Sequence, residues 1–146
     1  MRGTISDPSG AVVAKAQLSL VNSENGFTQA RSADDKGEFW FRTIVPSYYP
    51  IPTDGPVGEM LIATGRHAFR PAHIHFIVAA AGHRPLTTHI FVAGSEYIES
   101  DTVFAVKKSL VADFEEVTDE AQAAQWNVGK VPFRHADFEI IMQPGS

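Results

Sequence analysis

The sequence predicts an all-β protein, an antiparallel β-sandwich with one short helix near residues 100–116. Turn signals recur at short intervals, and the stretches between them are β-branched or aromatic without helical periodicity. Ten Phe, two Trp and nine Pro among 146 residues suit half-buried pleated surfaces punctuated by turns. A chain of this length is expected to form a single domain, residues 1–146, with a core of its own.

Taken in order, Arg2–Ile5 and Gln17–Val21 read as strands, with Asp7-Pro8-Ser9-Gly10 as a turn after the first. Asn22-Ser23-Glu24-Asn25-Gly26 is a second turn signal. Ala33-Asp34-Asp35-Lys36-Gly37 is a third and leads into the aromatic strand Glu38–Ile44. Val45–Gly58 holds four prolines and two glycines. Proline cannot donate to a sheet ladder, so this segment is expected to be a loop. Met60–Thr64 reads as a strand, Ala72–Ala81 as a buried strand, and Leu86–Val92 as another after a turn at Ala81-Gly82-His83. Phe104, Val106, Leu110, Val111 and Phe114 place the helix over Ser100–Glu116. Thr118–Gln125 is polar, Ala-rich surface, and Phe138–Met142 is the closing strand.

Composition excludes several functions. The net charge of −5 gives no reason to expect nucleic acid. The chain has no Cys, which removes disulfides, thiolate metal sites and cysteine nucleophiles. No apolar run approaches the roughly 20 residues needed to span a bilayer. Met1-Arg2-Gly3-Thr4 runs directly into strand-like sequence, so no signal peptide is expected. The expectation is a soluble cytoplasmic protein.

The chemistry concentrates in Arg70-Pro71-Ala72-His73-Ile74-His75. Residues i and i+2 of a strand face the same way, so His73 and His75 form a ready pair of imidazole ligands. Against the alternative of one core and one surface histidine stand the apolar setting, where an unpartnered polar ring is costly, and the adjacent guanidinium of Arg70. A cupin site needs a glutamate shortly after such a pair, and Phe76-Ile77-Val78-Ala79-Ala80 supplies none. A three-histidine zinc site would have to recruit His89. Tyr49, in the proline-rich loop, offers an anionic phenolate and turns the reading toward Fe(III).

From Asp34 to Phe104 the chain resembles the intradiol ring-cleavage dioxygenases, and within them the hydroxyquinol 1,2-dioxygenase branch. The runs that carry this are Gly37-Glu38-Phe39-Trp40-Phe41-Arg42-Thr43-Ile44, Tyr49-Pro50-Ile51-Pro52-Thr53-Asp54-Gly55-Pro56-Val57-Gly58 and Gly65-Arg66-His67 leading to Arg70–Phe76. Leu86-Thr87-Thr88-His89-Ile90-Phe91 and Ser100-Asp101-Thr102-Val103-Phe104 continue in register. The resemblance implies a β-sandwich catalytic domain holding one non-haem Fe(III) per chain. Its implied activity is cleavage of a catechol or hydroxyquinol by O2 between the two hydroxylated carbons, giving a muconate-type or maleylacetate-type dicarboxylate. It implies Tyr49, His73 and His75 as metal ligands and Arg70 beside the substrate ring, where fixed positive charge stabilises a developing carbanion. His89 falls where a polar residue lies over the substrate and is a candidate base. Ile51, Val57 and Phe91 are expected in the pocket wall.

Two departures accompany the resemblance. The family's second ligand tyrosine follows a Gly-Phe, but Gly26-Phe27 is followed here by Thr28, whose hydroxyl does not ionise near neutral pH. The substrate-bound ligand set survives this loss, so it falls on the resting site and on proton removal. The resemblance also leads to the expectation that the N-terminal helical segment through which many relatives dimerise has no counterpart, so that a homo-oligomer would use another surface. The competing expectation is a repurposed scaffold, in which the same metal serves a non-oxidative lyase, cyclase or isomerase reaction on a phenolic substrate.

Overall fold

The computed structural model describes residues 1–21 and 28–145. The second turn signal, with Gly26-Phe27, lies outside them. The strands are β1 (Arg2–Ser6), β2 (Gln17–Val21), β3 (Thr28–Ser32), β4 (Glu38–Trp40) and β5 (Tyr49–Pro50). After helix α1 (Pro56–Ala63) come β6 (Phe69–Arg70), β7 (His73–Ala79), β8 (Leu86–Val92), β9 (Val111–Ala112) and β10 (Glu115–Val117). Helix α2 (Glu120–Gln125), β11 (Phe133–His135) and β12 (Asp137–Ile141) complete the chain. No helix among the described residues is long and apolar enough to cross a membrane.

The expected all-β fold is present. One sheet runs β12-β1-β4 and the other β3-β2-β7-β8-β9, antiparallel except for the parallel pairs β1–β12 and β8–β9. Between them lies a core of Ile5, Leu18, Leu20, Phe39, Phe41, Ile74, Phe76, Val78, Ile90, Ile140 and Met142. Phe76 of β7 meets Phe39 and Phe41 edge-on, with ring centroids 6.4 and 5.7 Å apart. Such pairs add about 0.5–1.5 kcal/mol beyond the area they bury.

The tight turns follow their sequence signals. Asp7 accepts hydrogen bonds from the Ser9 and Ala11 amides, and Asp34 from those of Lys36 and Glu38. Gly37 has φ of 72°, and a Cβ there would lie 2.7 Å from the Ile5 carbonyl oxygen. Only glycine fits.

The helices fall elsewhere than expected. Within 100–116 there is only a single 3-10 turn, Lys108–Leu110. The carboxylate of Asp101 takes the amides of Val103 and Ala105, and Phe104 adopts a left-handed φ of 56°. Together these stop a helix from propagating. Met60–Thr64, expected as a strand, belongs instead to α1 and its C-cap. Pro56 opens this helix, where its missing N–H costs nothing, and an apolar run this short cannot tell strand from helix. Asp119 caps α2 by accepting from the Ala121 and Gln122 amides, giving order to a segment that reads only as polar surface.

Candidate metal centre

Alternation along β7 sends Ile74, Phe76 and Val78 into the core and His73 and His75 to the opposite, outer face of the five-stranded sheet. There His73 is covered by a two-stranded ribbon in which β5 pairs with β6 and Tyr49 stands opposite Arg70. Pro71, which lacks an N–H, ends β6, and the chain turns into β7 two residues later. Tyr49, Arg70 and His73 are thereby forced together.

His73 is buried. Its Nδ1 lies 2.7 Å from the Pro71 carbonyl oxygen. A carbonyl only accepts, so Nδ1 carries the proton and Nε2 the lone pair. That lone pair faces the Tyr49 hydroxyl at 3.3 Å and Arg70 Nη1 at 3.1 Å. A metal-binding imidazole is commonly fixed in this way, by a carbonyl on its far nitrogen. Burial pushes the His73 pKa down to about 4, assisted by Arg70 and opposed by the Pro71 bond. Burial likewise lowers His75 and His89, with the Arg70 charge adding to both. All three rings are therefore neutral at pH 7, the form that binds metal.

His89 sits directly across from His75 in the β7–β8 ladder, with ring centroids 4.3 Å apart. One ligand atom from each of His73, His75 and His89 lies within 4.8 Å of the others, near the roughly 3–4 Å spacing of nitrogens bound about 2.1 Å from a single ion. Three imidazole nitrogens and a phenol oxygen suit a first-row transition metal. The donors fit a metal site.

Arg70 is buried beside His73. Its Nε donates to Asp101 Oδ1 at 3.2 Å, and its Nη2 faces Oδ2 at 3.5 Å. Burial alone would raise the Asp101 pKa, but the Arg70 hydrogen bond and charge and the Ala105 and Val103 amides outweigh it, and the net shift is downward. Asp101 thus stays ionised and holds the guanidinium at the site. The matched run Ser100–Phe104 contains Asp101, yet nothing in the residues alone assigns it a role. A buried arginine requires a carboxylate, but the sequence offers 17 acidic residues without saying which closes back on Arg70.

The other expected residues divide. Phe91 stands across from His73, fully buried, its ring 5.4 Å from that of His73 and 5.8 Å from that of His89. It forms a floor under the imidazoles. Ile51 is half-buried just past the ribbon, its amide donating to the Ala68 carbonyl. Val57 is half exposed on α1. A cavity of about 600 Å³, lined in part by Trp40, Phe41, Phe114 and Trp126, includes none of these residues.

Residues 6–144 match the sequence model of a family described as Dioxygenase. Over 155 residues the chain is 39% identical to the hydroxyquinol 1,2-dioxygenase of Rhizobium sp. (strain MTP-10005), covering 96% of this chain and 52% of that protein. The chain is an intradiol ring-cleavage dioxygenase family member. Within this family it is also 55% identical over 114 residues to the 6-chlorohydroxyquinol 1,2-dioxygenase of Cupriavidus pinatubonensis, covering 78% of this chain and 37% of that one. The solved hydroxyquinol 1,2-dioxygenase of Pseudomonas putida DLL-E4 superposes with a TM-score of 0.84 at 36% identity, covering 99% of this chain and 55% of that chain. The chain spans about half the length of the curated relatives it matches. Family membership and the histidine triad agree on a metal site.

Proposed function

We propose that this chain is the Fe(III)-bearing part of an intradiol dioxygenase that opens a catechol or hydroxyquinol ring between its hydroxylated carbons. The observation that carries the reading is the meeting of the Tyr49 hydroxyl with the Nε2 lone pair of His73, beside His75 and Arg70. Tyr49, His73 and His75 would hold the iron. When bound, Fe(III) supplies a Lewis acid that draws electron density from a catecholate and prepares the ring for O2.

The chain's own residues do the rest. Arg70, held and aimed by Asp101, keeps a fixed positive charge where the ring becomes electron-rich. A charge set in place beforehand costs no reorganisation during reaction. Phe91 packs against the His73 and His89 rings and would exclude water beneath them, and Ile51 and Val57 are assigned to the wall around the aromatic ring. The substrate class follows the named relatives, which act on hydroxyquinol, 6-chlorohydroxyquinol and catechol.

The test is to load the protein with Fe(III) and add hydroxyquinol or catechol under air. The expected result is one O2 consumed per ring-opened dicarboxylate, by a protein coloured through phenolate-to-iron charge transfer. Tyr49→Phe should abolish the colour. A colourless iron-loaded protein that consumes no oxygen on either compound overturns the proposal.

A further inference from the structure

The strand register places more at this centre than the Tyr49, His73 and His75 set. Across the five-stranded sheet, Thr28 pairs with Val21, Val21 with His75, and His75 with His89. Directly paired residues share a face, so these four form one row on the metal side of the sheet. His89 adjoins His75 in that row. Thr28 lies two strands away on the other side, roughly 10 Å off at the ordinary interstrand spacing.

Among the described residues, a fourth protein donor at this centre can be sought by elimination. The chain contains three tyrosines. Tyr48 and Tyr97 pack against each other at 5.2 Å and against Phe69, which leaves Tyr49 as the one phenol turned toward the imidazoles. Asp101 is engaged by Arg70. Of the six histidines, His67 is bonded to Ser100, His83 to the Ala81 carbonyl, and His135 packs on Trp126. His73, His75 and His89 remain, and their ligand atoms converge within 4.8 Å. Among the described residues, no hydrogen bond engages the ring nitrogens of His75 or His89, so no described residue competes for their lone pairs.

Resting on the reading of Tyr49, His73 and His75 as ligands, we propose that His89 is a further ligand to the same metal, giving three imidazoles and one phenolate. The contrasting role is that of a free base over the substrate. A base leaves its nitrogen off the metal, whereas a ligand commits it, so metal binding without any substrate separates the two.

The metal-stripped chain is titrated with Co(II), and binding and the visible ligand-field spectrum are recorded for the unmodified protein, His89→Gln and His73→Ala. Loss of an outer hydrogen-bond partner costs metal affinity roughly 10–100-fold, and loss of a ligand should cost at least that. The expected result is weakening of this size in both variants, with an altered spectrum in His89→Gln. X-ray absorption of the unmodified Co(II) protein should fit three imidazoles rather than two, which tests the inference without any substitution. If His89→Gln keeps the affinity and spectrum while His73→Ala loses affinity, the His89 proposal fails and the Tyr49, His73 and His75 reading stands. If neither substitution changes Co(II) binding, both readings fall.

Discussion

At His73 a single acceptor, the Pro71 carbonyl, holds the Nδ1 proton and so decides which nitrogen can meet a metal. Arg70, three residues before His73, is governed in the same manner by Asp101. Their side chains are only 8% and 2% exposed, so the pair sits in a medium that penalises an unbalanced charge. Asp101→Asn keeps an acceptor for only one of the Val103 and Ala105 amides, which donate to different carboxylate oxygens, and leaves the guanidinium without its counter-charge. Removing one member of a buried pair costs about 3–5 kcal/mol, so urea denaturation should show a loss of that order. Asp101→Asn should also lower kcat, because Arg70 is no longer aimed. These two residues differ in legibility. The Arg-Pro-x-His-x-His run declares itself through strand periodicity, whereas Asp101 lies 31 positions from Arg70 and acquires meaning only when the chain closes.

Among the elements, the β5–β6 ribbon is the smallest and has the most to hold. Two residues per strand cannot fix a ligand unaided. An aromatic cluster steadies it from behind: Phe69 stacks on Tyr97 at 4.8 Å, Tyr48 meets both rings, and His67 lies 4.8 Å from Tyr97. Neighbouring residues of extended chain point oppositely. Tyr48 therefore anchors the ribbon while Tyr49 faces the imidazoles, a division the paired tyrosines of the sequence already imply. Tyr97→Ala should weaken metal binding by loosening Tyr49 while barely moving the thermal midpoint of the metal-free protein. Isothermal titration and a melting curve on one sample would check both. Helix placement was less legible. The apolar residues of 104–114 mimic an amphipathic face, but Phe104 is 78% exposed in a left-handed turn and the residues beyond join two different sheets. In α1, one proline that reads as a loop marker is the helix's first residue.

For the molecule as a whole, three neutral imidazoles on one sheet make stability depend on pH. An unfolded histidine titrates near 6.5, while folded His73 does so at about 4, with His75 and His89 also lowered. Between those values the unfolded chain binds more protons, so folding is favoured fully above about pH 6.5 and progressively less as pH falls toward 4. Denaturation midpoints of the metal-free protein should decline through that window, and bound metal should be released in the same range as protons compete for the nitrogens. A midpoint that stays flat from pH 7 to 4.5 would contradict this. The sheet responsible also separates two kinds of inheritance. Along β7 the even-numbered residues Ile74, Phe76 and Val78 belong to the core, and the odd-numbered His73 and His75 to the metal face. Substitutions on odd positions can explore new chemistry while the packing that keeps the protein folded is untouched. Deleting one residue ahead of His73 would exchange the two sets at a stroke, so point substitution, rather than change of length, is the route by which this strand can evolve.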